Sequence, residues 1–438
     1  MRQAAIRRGI VLLSSTILLS GCLKSTAPET ASRFASGPND QLVGQASVQA
    51  DGETSPIIQN LKARHSILQA GSPYATVASG VLASDARVAE AELRVAILRK
   101  KAADRNWLPT LGPRVSLTSL GDLVAEIVVN QVLFDNGRKR AERDLAQAEV
   151  EAAAVAMSTD GNKRVADAIG LYLKAAEGRE ATAQYDAALS DLNHFEWIMD
   201  QRVKGGVSNM SDLNVIQQKL ADLKAKRSAA QEDAETALAE LNAMSASPMD
   251  DVRGIGQLGA APVAAEPLSV LEAETARDIA LANARIARAS HLPGLGAQAS
   301  IDQNGNTGGG LNVQADQGFG FGTMATLESI ELTKDTAERR VSEAREDANR
   351  EMASLVRKYE AYKRQSAEAS SLVTQAKSNL DLFQKQYDGG QRKVMEVVGV
   401  YETYIRALET ALEVKYKAAR AELRIAELQG VLASGDRI

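Results

Sequence analysis

A single cysteine, Cys22, occurs in 438 residues, so no disulfide can form within one copy of the chain. Histidine is almost as scarce. His65, His194 and His291 stand alone, without the neighbours at ligand spacing that a zinc or other transition-metal site needs. Aromatic residues make up 4%, too few to fill a thick globular core. Beyond the first two dozen residues, no apolar run approaches the ~20 residues of a membrane-spanning helix. A phosphate-binding loop is missing as well: Gly308-Gly309-Gly310 is followed by no Lys-Ser/Thr and opens no helix. Acidic pairs such as Glu232-Asp233 and Glu346-Asp347 sit in text that reads as solvated helix faces. These absences leave no catalytic residue, metal or cofactor to assign, and the chain is not expected to be an enzyme. The formal net charge of −5 disfavours contact with phosphate backbones, so no nucleic-acid partner is expected.

What is present begins with an address. Arg2, Arg7 and Arg8 form a basic n-region, Gly9 to Leu19 a short apolar segment, and Leu19-Ser20-Gly21-Cys22 ends it. The segment is too short to span a bilayer and reads as an export signal, residues 1–21. Its end is similar to the bacterial lipoprotein lipobox, whose cysteine becomes the acylated first residue of the mature chain. Leu23, rather than Asp, follows Cys22, which in that resemblance implies sorting to the outer membrane. Each buried methylene of an acyl chain contributes ~0.8 kcal/mol, so several chains anchor firmly. Residues 22–55, rich in Ser, Thr, Ala, Gly and Pro, read as a flexible lipidated leader.

The rest of the chain is alanine-rich and highly charged with both signs, a mixture typical of long helices and coiled coil. It is also duplicated. Leu108-Pro109-Thr110-Leu111-Gly112 returns as Leu292-Pro293-Gly294-Leu295-Gly296, and Gly205-Gly206 returns as Gly389-Gly390. Leu292 lies 184 residues after Leu108, and Gly389 lies 184 residues after Gly205. Two landmarks that keep their spacing imply a repeated structural unit. The first repeat is assigned to 56–244 and the second to 271–438, joined by a Pro/Gly-bearing linker over 245–270.

Periodicity predicts the elements. Helix patterns cover 57–68 and 74–105, the latter broken by Pro109 and Pro113. A β-hairpin is expected over 111–133, where Leu123, Ala125, Ile127 and Val129 alternate with Val124, Glu126, Val128 and Asn130. One face is wholly apolar and the other mixed, as a sheet between lipid and a wet lumen requires. A helix pattern then runs over 138–203, with a coiled-coil seam at Leu145, Ala148, Ala152 and Val155. At 1.5 Å per residue it is roughly 100 Å long, a length suited to a conduit or spacer. Gly205-Gly206 stops it at a tip, 204–213, and a return helix covers 208–244. In the second repeat a helix ends at His291-Leu292-Pro293, and a hairpin is expected over 295–321. Its strands are Ala297 to Gln303 and Leu311 to Gln317, with a turn through Asn304 to Gly310. In the second strand Leu311, Val313 and Ala315 alternate with Asn312, Gln314 and Asp316, and Phe321 is matched with Phe134. A long helix over 327–387, a tip at 388–397 and a last helix over 393–432 complete the pattern. The strand text is shorter than the ~9–11 residues of a typical spanning strand, and aromatic residues around it are few.

On these residues the chain resembles the TolC family of outer-membrane channel proteins. The resemblance rests on the duplicated plan, on Pro-ended helices leading into strands, and on Phe134-Asp135-Asn136-Gly137-Arg138 opening the long helix. It rests also on the tip, where the family pattern Gly-x-x-x-x-Ser/Thr-Asp-Leu stands here as Gly206-Val207-Ser208-Asn209-Met210-Ser211-Asp212-Leu213. The second tip, Gly390 to Val397, keeps the glycine and the apolar end, with Met395 and Glu396 in the Ser/Thr and Asp places. The resemblance implies a mainly α chain whose antiparallel helical hairpins form a trimeric α-barrel tunnel. Two short β-hairpins per chain would contribute to a shared 12-stranded β-barrel. It implies a homotrimer in outer-membrane lipid, reaching into the periplasm to a periplasmic adaptor and an inner-membrane transporter. The expected role is a passive conduit of a tripartite efflux pump or a type I secretion system. The tip residues expected to meet the adaptor are Gly205, Gly206, Val207, Ser208, Met210, Ser211, Asp212 and Leu213, with Gly389, Gly390, Val394, Glu396 and Val397 from the second repeat. The same residues also serve as caps, glycine ending one helix and Ser208 or Ser211 starting the next.

Two alternatives compete. A periplasmic adaptor is often lipidated and carries a helical hairpin, but one hairpin inserted in a β-rich chain; two hairpins in register argue against it. A structural coiled-coil lipoprotein without a pore has no need of two Pro/Gly-flanked amphipathic hairpins.

Overall fold

A computed structural model describes residues 55–84, 88–117, 123–259, 265–318 and 320–438. The signal segment 1–21 and the leader through residue 54, with Cys22, lie outside the described residues, as do 85–87, 118–122, 260–264 and 319.

Two helical hairpins dominate. The first pairs α4 (Arg138–Lys204) with α5 (Met210–Met244), and the second pairs α7 (Thr323–Asp388) with α8 (Val394–Leu428). The two return helices are each 35 residues long, and the long helices are 67 and 66 residues, roughly 100 Å. Before them come α1 (Pro56–Lys62), α2 (Pro73–Leu82) and α3 (Val88–Ala103), and α6 (Leu268–Ser290) precedes α7. On the sheet side of the molecule α4 lies between α3 and α6, with α7 beyond α6; on the tip side α4 lies between α5 and α8, with α7 beyond α8. So α4 and α7 run the full length, while α3 and α5 share one flank of α4 and α6 and α8 fill the space between α4 and α7.

The long helices hold because small side chains recur at three- and four-residue steps. Ala146, Val150, Ala154, Gly161, Val165, Ala168, Tyr172 and Ala175 of α4 are buried. Gly178 marks a close approach to α5: an added Cβ there falls 2.6 Å from the Ala230 carbonyl oxygen and 2.9 Å from the Ala234 Cβ. Burial is unequal between the two long helices. α4 is covered along its length, whereas α7 buries only Thr323, Ile330, Ala337, Val341, Ala348, Ala369 and Leu380. Leu332, Leu372 and Leu382 of α7 and Val88, Val95 and Leu98 of α3 remain exposed.

Strands β1 (Thr110–Leu117), β2 (Leu123–Phe134), β3 (Gly294–Asp302) and β4 (Thr307–Gln314) form one antiparallel sheet in chain order. The two halves of the chain therefore meet twice, along the helices and at the β2–β3 ladder. The step from β2 into α4 explains Phe134-Asp135-Asn136-Gly137. Asn136 (φ 54°) and Gly137 (φ 85°) are both left-handed, a conformation Asn and Gly tolerate best. The Asp135 carboxylate accepts from the backbone N–H groups of Gly137 at 3.1 Å and Lys139 at 2.7 Å, satisfying donors that the helix start leaves open.

Several expectations need correction. The pattern over 74–105 is two helices, α2 and α3, rather than one. Tyr74, Val77 and Val81 of α2 belong to a core with Ile169, Tyr172 and Leu432, while Leu93 and Ala96 of α3 belong to another with Val150 and Leu271. One straight helix cannot serve both. The first helix ends at Lys62, not 68, and α6 starts at Leu268, inside the expected linker. The expected turn through Gly310 is shorter. Gly308, Gly309 and Gly310 are strand residues of β4 paired with Ser300, Ala299 and Gln298. Asp302 makes the turn instead, its carboxylate accepting from the backbone of Asn304 and Asn306, both at 2.8 Å, with Gly305 left-handed at φ 79°. Phe134 ends β2 opposite Leu295, while Phe321 lies outside the strands in the approach to α7, so the two are not structural equivalents. The strands are longer than expected in the middle of the sheet, 12 residues in β2 and 9 in β3, and 8 in β1 and β4.

Candidate functional site

The register of the sheet sorts its side chains. Leu111, Pro113 and Val115 stand opposite Val129, Ile127 and Ala125; Ile127 and Val129 stand opposite Ile301 and Ala299; Ala297 and Leu295 stand opposite Leu311 and Val313. Residues opposite one another share a face, so these form a single apolar face across all four strands. It is uncovered: Leu111, Val115, Leu311 and Val313 are each more than 60% exposed, and Ile127 and Ile301 are nearly half exposed. The other face carries Arg114, Ser116, Glu126, Asn130, Gln298, Ser300, Asp302, Asn312 and Gln314. Arg114 and Glu126 pair across β1 and β2 at 3.2 Å. Val128, opposite Gly112 and Ser300, is buried at 3% exposure on that face. The side chains of Leu117 and Leu123 lie outside the described set. β1 and β4 are edge strands within the chain. A large uncovered apolar face and unpaired edges favour association in water, and open edges are not tolerated in lipid.

At the opposite end the two tips are built alike. The Gly206 N–H donates to the Val203 carbonyl at 3.0 Å and the Val207 N–H to the Arg202 carbonyl at 2.8 Å. In the second hairpin, Gly390 donates to Tyr387 and Gln391 to Gln386, both at 2.8 Å. These are the paired bonds of a Schellman cap, with glycine in the left-handed place at φ 71° and 73°.

Among the described residues no helix is long and apolar enough to cross a membrane, and no group of His, Cys, Asp or Glu side chains is placed to hold a metal ion. No protein-family model and no curated protein matches the sequence. Solved structures do match in fold. A membrane protein from Pseudomonas aeruginosa aligns over 83% of this chain and 91% of its own, with 15% identity and a TM-score of 0.73. The outer membrane protein VceC from Vibrio cholerae aligns over 82% and 96%, with 17% identity and a TM-score of 0.69. The MtrE outer membrane channel of Neisseria gonorrhoeae, in its open state, aligns over 89% and 95%, with 18% identity and a TM-score of 0.70. The fold is that of the TolC-like outer-membrane channels.

Within this TolC-like fold the tip residues divide. Gly205, Gly206, Val207, Met210, Ser211, Gly389, Gly390 and Glu396 are exposed, and Ser208 and Asp212 are half-buried. Leu213, Val394 and Val397 are buried, at 5%, 3% and 0% exposure, in a core with Leu192, Phe195, Ile216 and Tyr401. They shape the tip from within rather than forming its surface. The caps also differ from expectation. Asn209 and Lys393 are the N-cap residues, neither with a side-chain cap bond. Ser208 instead accepts from the Arg202 guanidinium at 3.2 Å. Asp212 and Glu396 lie in the first turns of α5 and α8, where a negative charge meets the positive end of the helix dipole.

Sequence reasoning missed a polar seam that ties the first hairpin to α8. The Tyr401 hydroxyl donates to Asp191 at 2.7 Å and Tyr185 to Glu409 at 2.8 Å; Lys226 also reaches Glu409, at 3.1 Å. Tyr416 and Lys415 share Glu180, Arg420 pairs with Glu177 at 2.7 Å, and Lys219 pairs with Glu402. Burial, then the hydrogen bond to a carboxylate, pushes the Tyr401 and Tyr185 hydroxyls far above the usual tyrosine range, so both stay donors at any physiological pH. Each of these pairs joins residues about 180 to 240 positions apart, beyond any local spacing rule. The histidines join none of them. His65 is exposed, His194 stacks near Trp197 at 6.4 Å between centroids, and His291 is buried at the end of α6.

Proposed function

We propose that the chain is the outer-membrane channel component of a tripartite efflux pump or a type I secretion system, working as a passive conduit without chemistry of its own. The observation that carries this reading is the sheet. It has one uncovered apolar face, one polar face and two open edges, and it is mounted on helices roughly 100 Å long. Three copies joined edge to edge, β4 of one to β1 of the next, close the strands into a barrel with the polar face inward and the apolar face toward lipid. The same head-to-tail contact covers the exposed side chains of α7 with the α3 and α5 flank of the next copy, and a repeated heterologous contact of this kind closes a ring.

The helical tips, on this reading, lie deepest in the periplasm and receive an adaptor that links the channel to an inner-membrane transporter. Val207 and Met210, 68% and 59% exposed, supply apolar contact beside two glycine turns, with Ser208, Ser211, Asp212 and Glu396 as polar neighbours. Acylation of Cys22 would anchor each copy in the inner leaflet of the outer membrane. The test is native mass spectrometry of the detergent-extracted full chain together with conductance in planar bilayers. Trimer mass and discrete conductance steps are expected; a folded monomer without conductance overturns the reading.

A further inference from the structure

Ion pairing is uneven where the helices meet the sheet. The carboxylates at the end of α3 and the start of α4 are all engaged. Asp104 pairs with Lys100 at 3.1 Å, Glu142 with Lys139 at 3.0 Å and Asp144 with Arg285 at 3.2 Å, and Asp135 caps α4. Lys101, Arg105 and Arg140 are exposed, Arg143 is half-buried, and none of the four pairs with a carboxylate among the described residues. These cations share one side of the α3–α4 pair. The contact runs through Leu93 and Ala96 of α3 and Val150 of α4, and it ends where the Asn106 side chain donates to the Lys139 carbonyl at 3.0 Å. Lys100 extends the α3 row by one turn. Because α3 enters the sheet and α4 leaves it, the two helices are antiparallel. Residues one position past the contact row then fall on the same side of both helices: Lys101 after Lys100, and Arg140 after Lys139. Arg105 follows Lys101 by one turn, and Arg143 follows Arg140 by another.

That side is the outer one, on two grounds. Arg138 pairs with Asp316, and both line a cleft at the foot of the polar face with Asn312 and Gln314. Arg140 follows Arg138 by about 200° around the helix, which puts it on the opposite side, that of the apolar face. Ala154, Val165 and Ile169 lie on Arg140's side of α4 and pack against α1 and α2; a layer on the tunnel side would fill the conduit. Since α3 ends at Ala103 and α4 begins at Arg138, Lys101 and Arg140 lie within about 5 Å of the helix ends at 1.5 Å per residue. This is the depth of a headgroup layer beside the hydrocarbon. We infer that Lys101, Arg105, Arg140 and Arg143 form an outward basic collar that binds the phosphates of anionic phospholipid headgroups in the leaflet facing the periplasm. The occupant is a lipid phosphate because the cations left without carboxylates begin where the uncovered apolar face ends. The inference rests on the channel reading and adds to it a preference for one class of lipid.

The chain supplies its own probe. It has two tryptophans: Trp107, 57% exposed and two residues after Arg105, and Trp197 near the far end of α4. Full-length protein carrying Trp197→Phe leaves Trp107 as the sole indole. It would be reconstituted into vesicles that mix phosphatidylcholine with phosphatidylglycerol, with bromine on the chains of one lipid or the other, and Trp107 quenching would give the relative binding of the two. One cation at an anionic surface is worth roughly a fivefold preference, so phosphatidylglycerol should be favoured at Trp107 about fivefold. The preference should fall toward one as salt rises to about 0.5 M. Adding Lys101→Gln, Arg105→Gln and Arg140→Gln together should bring it to one at low salt, with quenching in pure brominated phosphatidylcholine unchanged. No preference before these changes, or the same preference after them, overturns the collar and leaves the channel reading standing. If the triple variant fails to insert, the salt series decides, because a preference that survives high salt is not electrostatic and overturns the collar. No quenching by any brominated lipid overturns both readings.

Discussion

Replacing Gly206 and Gly390 together by valine isolates what the two tip turns do. At φ 71° and 73° both residues occupy the left-handed region, and an added Cβ at either site meets no heavy atom within 4 Å. Overlap at Cβ therefore contributes nothing, and the cost to be expected is that of backbone conformation, about 1–2 kcal/mol per site for an L-residue. Asparagine tolerates this region, so the matching Gly206→Asn, Gly390→Asn variant controls for simple loss of glycine. A cost of that size raises local opening by a factor of about 5–30, readable by hydrogen exchange of the amides from Arg202 to Leu213 and from Gln386 to Val397. The remote cores around Tyr172 and around Leu93 should not respond, and trimers should still form. Export and crosslinking to an adaptor should fall in the valine variant and persist in the asparagine variant. If valine and asparagine exchange alike, the strain argument is wrong; if the valine variant exports normally, the turns are caps and the partner docks elsewhere.

Ile127→Arg places a charge on the apolar face near mid-sheet and should cost about 2–4 kcal/mol of insertion, while Glu126→Gln on the polar face should insert normally; equal insertion of the two in a membrane-fractionation assay would reverse the face assignment. Tyr401→Phe removes the donor to Asp191 and should destabilise the chain by about 1.5–3 kcal/mol in chemical denaturation, leaving secondary structure intact. Glu422 is half-buried, and burial raises its pKa more than the Tyr359 hydroxyl and Lys363 lower it. A raised folded-state pKa means stability that is present below the unfolded carboxylate range and lost as pH rises through the folded value. Glu422→Gln should thus raise the melting temperature at neutral pH and lose that advantage in acid; the same gain at both pH values would contradict the burial argument. Cys22→Ser should abolish incorporation of a labelled fatty acid, and undiminished label would remove the proposed anchor.

Much of this molecule is legible in one dimension because its architecture is nearly so. Helix length follows from alanine-rich periodicity, and the ends of α4 and α7 follow from Gly205-Gly206 and Gly389-Gly390, since a left-handed cap is a local requirement that glycine meets without strain. Alternation along Leu123 to Val129 set out a two-faced strand before any partner strand was known, because the side-chain period of a strand is two whatever it pairs with. Other features needed the folded chain. Which residue closes the second hairpin was decided by register: the ladder with β3 drew Gly308, Gly309 and Gly310 into the strand and left the turn to Asp302 and Gly305. The break between α2 and α3 was decided by two separate cores competing for one stretch of helix pattern. At the tips, Leu213, Val394 and Val397 look like Val207 and Met210 in the sequence. Only the packing of α4 and α5 against α8 turns the first three inward. The seam of Tyr185, Asp191, Tyr401 and Glu409 left no mark on the sequence at all. A hydrogen bond between residues more than two hundred positions apart depends on how two hairpins lie side by side, and that is fixed by tertiary packing rather than by any local pattern.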